Sequence, residues 1–143
     1  MILRFTIPGE PVAKGRPRFT RTGRSYNPPK TAKYENLVRL TFDQNYPDWK
    51  PLEGGVDLSI RATFPVPKAW SKKKYIAAIQ HMIAKITKPD LDNLIKSVSD
   101  GLNEVAWKDD AQIYHLEAWK GYGEKPGVEV MIGFDEEDEN GNG

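Results

Sequence analysis

Between residues 90 and 105 the apolar side chains fall into one pattern. Leu91, Leu94, Ile95, Val98, Leu102 and Val105 recur at i, i+3, i+4, i+7, i+11 and i+14, one stripe of an α-helix that Asp90 opens. A helix with a single stripe must lay it on a flat apolar partner. The chain offers four alternating stretches for that partner. Leu3–Pro8 reads as a strand. Val56–Phe64 reads as a second, with Val56, Leu58, Ile60 and Ala62 on one face. Ile113–Trp119 and Val128–Phe134 read as two more, joined by Gly121–Gly127 and expected to pair as a hairpin. Two further helices are expected. One is capped by Thr31, carries Tyr34, Leu37, Val38 and Phe42, and ends near Tyr46-Pro47. The other is basic, capped by Ser71 and running to about Ala84. The order β-α-β-α-α-β-β predicts a small α/β fold, a mixed sheet packed by helices.

A chain of 143 residues suits one such domain, expected over residues 1–134. The longest unbroken apolar run is five residues, Tyr75–Ile79, far short of the ~20 that span a bilayer. Cysteine is absent, which excludes disulfides, thiolate metal sites and Cys nucleophiles. The opening MILRFTIPGE lacks the apolar core of a secretory signal, so a cytoplasmic protein without a membrane partner is expected.

The net charge of +1 hides an asymmetry. Asp135, Glu136, Glu137, Asp138 and Glu139 carry five negative charges, and residues 135–143 are expected to form an acidic, disordered tail. Two other stretches contain no acid at all. Residues 11–34 hold Lys14, Arg16, Arg18, Arg21, Arg24, Lys30 and Lys33. Residues 58–89 hold Arg61, Lys68, Lys72, Lys73, Lys74, Lys85 and Lys88. Such stretches point to a polyanion. Arg16 and Arg18 lie in a Gly/Pro-rich loop, where planar guanidinium groups grip phosphate oxygens bidentately.

The segment Asp90-Leu91-Asp92-Asn93-Leu94-Ile95-Lys96 is the most informative. Asp92, Lys96 and Asp100 recur at four-residue spacing and share a face away from the apolar stripe. A second acidic pair, Asp109-Asp110, precedes the strand at Ile113. A strand edge beside the helix start would bring Asp110 to Asp90 and Asp92. Three converging carboxylates without Cys or clustered His suit a hard cation, Mg²⁺ or Mn²⁺. Such a site activates water and stabilises a phosphodiester transition state. Lys96 is placed to neutralise the phosphate or leaving oxygen. Two like charges ~5 Å apart repel by roughly 3 kcal/mol at an effective dielectric near 20, a cost that a bound cation offsets.

The same residues have structural roles open to them. Asp90 can be an N-cap, Asp92 and Lys96 an i,i+4 pair, Asp109-Asp110 a turn, and Asp100 a support. An EF-hand frame from Asp90 fails, because Leu94 and Ile95 stand where an oxygen ligand and a glycine are needed. His81 and His115 match no zinc spacing. The four tryptophans are core candidates, with base stacking open to Trp70 and Trp107.

Lys88-Pro89-Asp90-Leu91-Asp92-Asn93-Leu94-Ile95-Lys96, Asp100-Gly101-Leu102 and Trp107-Lys108-Asp109-Asp110-Ala111-Gln112-Ile113 together resemble the signature of RusA-type Holliday junction resolvases. Gly9–Phe19 is similar to that family's basic opening. The resemblance spans about residues 3–133 and implies a RusA-like fold. It implies a homodimeric, Mg²⁺-dependent endodeoxyribonuclease, with Mn²⁺ as substitute and no organic cofactor, that resolves four-way junctions by paired nicks in DNA recombination and repair. Phages and prophages often carry such enzymes. On this resemblance Asp90, Asp92 and Asp110 are the metal-binding catalytic aspartates and Lys96 the functional lysine. Asp110 is favoured over Asp109 because it directly precedes Ala111-Gln112-Ile113. DNA contacts are expected from Lys14, Arg16, Arg18, Arg21, Arg24, Lys72, Lys73, Lys74 and Lys88. Two other readings of the residues are a branched-DNA-binding protein that does not cut, and a nuclease acting on forks or flaps.

Overall fold

In the computed structural model the described residues are 1–135, so the expected acidic tail, apart from Asp135, lies outside them. The strands are β1 (Ile2–Pro8), β2 (Arg18–Phe19), β3 (Ser25–Tyr26), β4 (Val56–Phe64), β5 (Ile113–Tyr122) and β6 (Gly127–Gly133). The helices are α1 (Pro29–Asn45), α2 (Lys72–Ile79) and α3 (Leu91–Leu102). The fold is α/β, and the main sheet is mixed with order β1-β6-β4-β5. β6 runs antiparallel to both β1 and β4, while β4 and β5 are parallel.

Alternation decides which face is inside. Leu3, Phe5 and Ile7 of β1 turn inward with Val56, Leu58, Ile60, Ala62 and Phe64 of β4 and Val128, Val130 and Ile132 of β6. Over them pack Tyr34, Val38 and Phe42 of α1 and Leu94, Val98 and Leu102 of α3. The α3 stripe therefore buries as its spacing demands. The helix approaches α1 closely at Gly101, where an added Cβ would lie 2.8 Å from Val38 Cβ and 3.0 Å from the Glu35 carbonyl oxygen.

Three expectations need correction. β5 and β6 are not a hairpin, because β4 lies between them. The linking residues cross the end of β4, where Gly123 N–H donates to the Phe64 carbonyl at 3.0 Å. The inward residues of β6 are at most 1% exposed, which suits a central strand. Tyr114 and Leu116 of β5 are well exposed, which suits an edge. Thr31 does not cap α1. That helix begins at Pro29, whose missing N–H needs no cap, and buried Thr31 instead accepts a hydrogen bond from Gly15 N–H at 2.9 Å. Ser71 does cap α2, accepting from Lys74 N–H, but the helix stops at Ile79 and His81 is left-handed at φ 62°. Only Ala78 of α2 is buried, so little apolar burial favours a longer helix. Within the basic loop, β2 and β3 form a small hairpin of their own.

Candidate active site and nucleic-acid interface

Asp90 is the N-cap residue of α3, yet its side chain makes no capping hydrogen bond. Asp92 lies in the first turn. Both are exposed, as is Lys96 one turn on, and among the described residues no ion pair joins Asp92 to Lys96. The turn that delivers Asp90 is held from β5. Lys120 Nζ donates to the Thr87 carbonyl at 2.8 Å and to the Pro89 carbonyl at 2.9 Å. Lys85 Nζ donates to Thr87 Oγ1 at 2.9 Å from the other side.

Asp110 feels the charge of Asp100, which lies in the last turn of the helix, at the far end from Asp90. α3 has 12 residues and is therefore ~18 Å long. After it the chain bridges Asn103 to Trp107, and Gln112 Nε2 ties the Asp109–Gln112 turn to the Leu52 and Gly54 carbonyls, each at 2.8 Å. Asp109 caps that turn, accepting from Ala111 N–H at 3.1 Å, while its own N–H donates to Gln112 Oε1 at 2.8 Å. Asp110 is held instead by the indole of Trp107, whose Nε1–H donates to Oδ1 at 2.7 Å. Burial pushes the Asp110 carboxyl above the ordinary carboxylate range. The charges of Asp100 and Asp109 push the same way, and the indole hydrogen bond opposes them.

The expectation that Asp110 lies beside Asp90 and Asp92 is thus not met within one chain. Among the described residues no three His, Asp or Glu side chains gather closely enough to hold one ion. The donor chemistry fits a hard cation, since every candidate is a carboxylate. The placement within a single chain does not.

Asp100 has another task. Its Oδ2 lies 2.8 Å from Lys14 Nζ, which also reaches Glu35 Oε2 at 2.7 Å, while Lys14 N–H donates to the Asn93 carbonyl at 2.8 Å. Burial pulls the Lys14 pKa down, but hydrogen bonds and charge from Asp100 and Glu35 outweigh it, and the ammonium stays protonated above its usual range. Lys14 is therefore a clasp that fixes the basic loop to α1 and α3, its charge already matched by two carboxylates. Arg16, Arg18, Arg21, Arg24, Lys72, Lys73 and Lys88 are exposed. Lys74 is exposed too, its Nζ 3.9 Å over the Trp70 ring.

The two acid-free stretches meet. A cavity of about 770 Å³ is bounded on one side by Arg16, Arg18 and Lys30 and on the other by Lys85 and Lys88, and Pro89 forms part of its wall. The chain places this cavity immediately before Asp90. Sequence reasoning passed over Lys85 and Lys120 as individuals. Their roles arise from contacts with β4, β5 and the 87–89 turn, which carry no periodic signal.

The aromatic and histidine expectations divide. Trp107 is fully buried with its N–H committed to Asp110, so it is no stacking platform. Trp70 packs against Tyr122. His81 stacks on Trp119 at 5.0 Å. His115 pairs with Asp57 at 2.8 Å, and that hydrogen bond raises its pKa.

Comparison with known proteins adds two findings. The family described as Endodeoxyribonuclease RusA matches residues 8–133. "Uncharacterized protein YqaN" of Bacillus subtilis (strain 168) is 40% identical over 135 residues, covering 91% of this chain and 94% of that protein.

Proposed function

The chain belongs to the RusA family of endodeoxyribonucleases, and from that premise we propose that it resolves four-way DNA junctions by paired nicks, working as a homodimer with Mg²⁺ or, in its place, Mn²⁺. The observation that carries the reading is the meeting of both acid-free stretches in one cavity whose wall includes Pro89, the residue before Asp90. A phosphodiester strand bound there runs past two exposed carboxylates and an exposed lysine. Arg16, Arg18 and Lys88 hold backbone phosphates, which gives affinity without base readout. Lys96 offsets negative charge at the reacting phosphate. A bound divalent ion would supply Lewis-acid polarisation of the phosphate and an activated water.

Asp90 and Asp92 of one protomer and Asp110 of the other form each site in this reading. A two-fold axis across the middle of α3 sets the start of one helix beside the end of its copy, and it does so twice. Two composite sites follow, as paired nicks require. Two features support Asp110 over Asp109 as the third carboxylate. Asp109 is spent on capping its turn, whereas Trp107 fixes one oxygen of Asp110 and leaves Oδ2 without an assigned task.

Incubation of the protein with a synthetic four-way junction and Mg²⁺ tests the reading. Symmetrical nicks are expected in the parent, and Asp90→Asn should slow cutting by about 100-fold or more while junction binding in EDTA stays within about threefold. Cutting by Asp90→Asn at the parental rate removes the site assignment. Binding without any cutting in Mg²⁺ or Mn²⁺ removes the resolvase reading. Equal cutting of forks or flaps redirects it to those substrates.

A further inference from the structure

The cavity ahead of Asp90 is an open groove in the basic surface. Its cations come from two remote segments, and only Glu10 among its lining residues is acidic. Lys14, which also borders it, is neutralised by Glu35 and Asp100. The remaining cations have no such match: among the described residues no ion pair involves Arg16, Arg18, Lys30, Lys85 or Lys88.

Lys85 is the central case. Its ammonium lies 4.6 Å from the centre of the Phe64 ring and 5.5 Å from that of Tyr122. It donates to Thr87 Oγ1. Burial lowers its pKa, the charge of Lys120 lowers it further, and Glu10 only partly opposes them. Two ammonium groups held in the same corner by Thr87 and its neighbours make an arrangement that an anion relieves.

Size and wall chemistry narrow the anion. About 770 Å³ is room for a ligand-sized group, within the ~300–1,000 Å³ of pockets that enclose one. Phe64, Pro28 and Pro89 supply apolar wall against which a base or sugar packs. We propose that this cavity takes one nucleotide of an unpaired DNA strand, its phosphate held by Lys85 with Arg16 and Lys30 at the rim and its base or sugar against the apolar wall. This rests on the nuclease reading above and deepens it. Stacking is interrupted at a branch point, so a nucleotide is drawn out there at less cost than from continuous duplex; the pocket therefore selects branched DNA and presents the adjoining phosphate to Asp90 and Asp92.

A four-way junction carrying 2-aminopurine at the branch point, titrated with protein in EDTA, tests the proposal. Fluorescence should rise on binding as the base leaves the stack. Lys85→Met should abolish the rise and weaken junction binding about tenfold while changing affinity for matched duplex less than about twofold. Lys30→Met at the rim should do the same more weakly, and Lys125→Met, outside the cavity, should do neither. Melting temperatures of the variants are compared first, and Lys30→Met serves alone if Lys85→Met does not fold. No fluorescence rise in the parent overturns the proposal even where paired nicks occur. Equal loss of junction and duplex affinity in Lys85→Met also overturns it. A rise without cleavage in Mg²⁺ sinks the resolvase reading and leaves the pocket standing.

Discussion

Asp110 and Lys14 are charged groups whose surroundings pull in opposite directions, and the signs can be tested. Desolvation raises the Asp110 pKa, so the folded chain holds that proton more tightly than the unfolded chain does. Stability therefore falls as pH rises from the ordinary carboxylate range through the raised value. Asp110→Asn keeps an oxygen for the Trp107 indole and removes the charge, so it should raise the melting temperature at pH 7 by about 1–3 °C, with the gain vanishing at acid pH where Asp110 is protonated. A scan of melting temperature against pH for both proteins checks this. For Lys14 stability also falls as pH rises, but for the opposite reason, because here the charged form is the one the fold favours. Its folded pKa is raised, so its contribution is complete below the ordinary lysine range and is lost as pH climbs through the folded value. Lys14→Met leaves Glu35 and Asp100 facing each other without their cation, at a cost of roughly 2 kcal/mol, between the values for exposed and for buried pairs. Urea unfolding measures that loss. The salt dependence of DNA binding should change little, because this lysine's charge is already matched; a slope reduced as far as by Arg16→Ala would show that Lys14 touches phosphate.

Among the elements, α3 carries both the clearest sequence signal and the tightest constraint. Its apolar spacing was enough to place Leu94, Val98 and Leu102 in the core, because a 3.6-residue period is a local property. Gly101 carries a constraint that periodicity does not express. Ala is the better helix former by ~1 kcal/mol, yet its methyl would lie 2.8–3.0 Å from Val38 and the Glu35 backbone. Gly101→Ala should therefore destabilise the protein by about 1–3 kcal/mol, read from the shift in urea midpoint at constant slope. A neutral or stabilising result would mean that α1 moves away freely. The strands show the reverse case. Alternation identified β1, β4, β5 and β6, but not that β6 inserts between β1 and β4, since strand order is set by long-range burial. Thr31 was misread for a related reason: Pro28-Pro29 already starts the helix, which frees the hydroxyl to fasten Gly15 in the basic loop.

At the scale of the whole molecule, the sequence made the carboxylates visible and left their distribution hidden. Asp90, Asp92 and Asp110 stand out in one dimension because acids flank an apolar stripe. Their separation by the length of α3 depends on that helix running from the turn beside Lys120 back to the turn beside Leu52 and Gly54. In the proposed homodimer one chain would present half of a site at each end, and its symmetric partner would complete both halves together. Light scattering should give twice the 16.2 kDa chain mass at micromolar concentration. The sharper experiment mixes two inactive proteins. Asp90→Asn and Asp110→Asn homodimers are each expected to leave a four-way junction intact. In a mixed dimer, one composite site carries both substitutions and the other carries none. Co-refolding the two should thus restore single nicks in about half of the dimers, the fraction that random pairing makes mixed, without restoring paired ones. Sites contained within single protomers would give no recovery at any mixing ratio, because every protomer in the mixture is damaged.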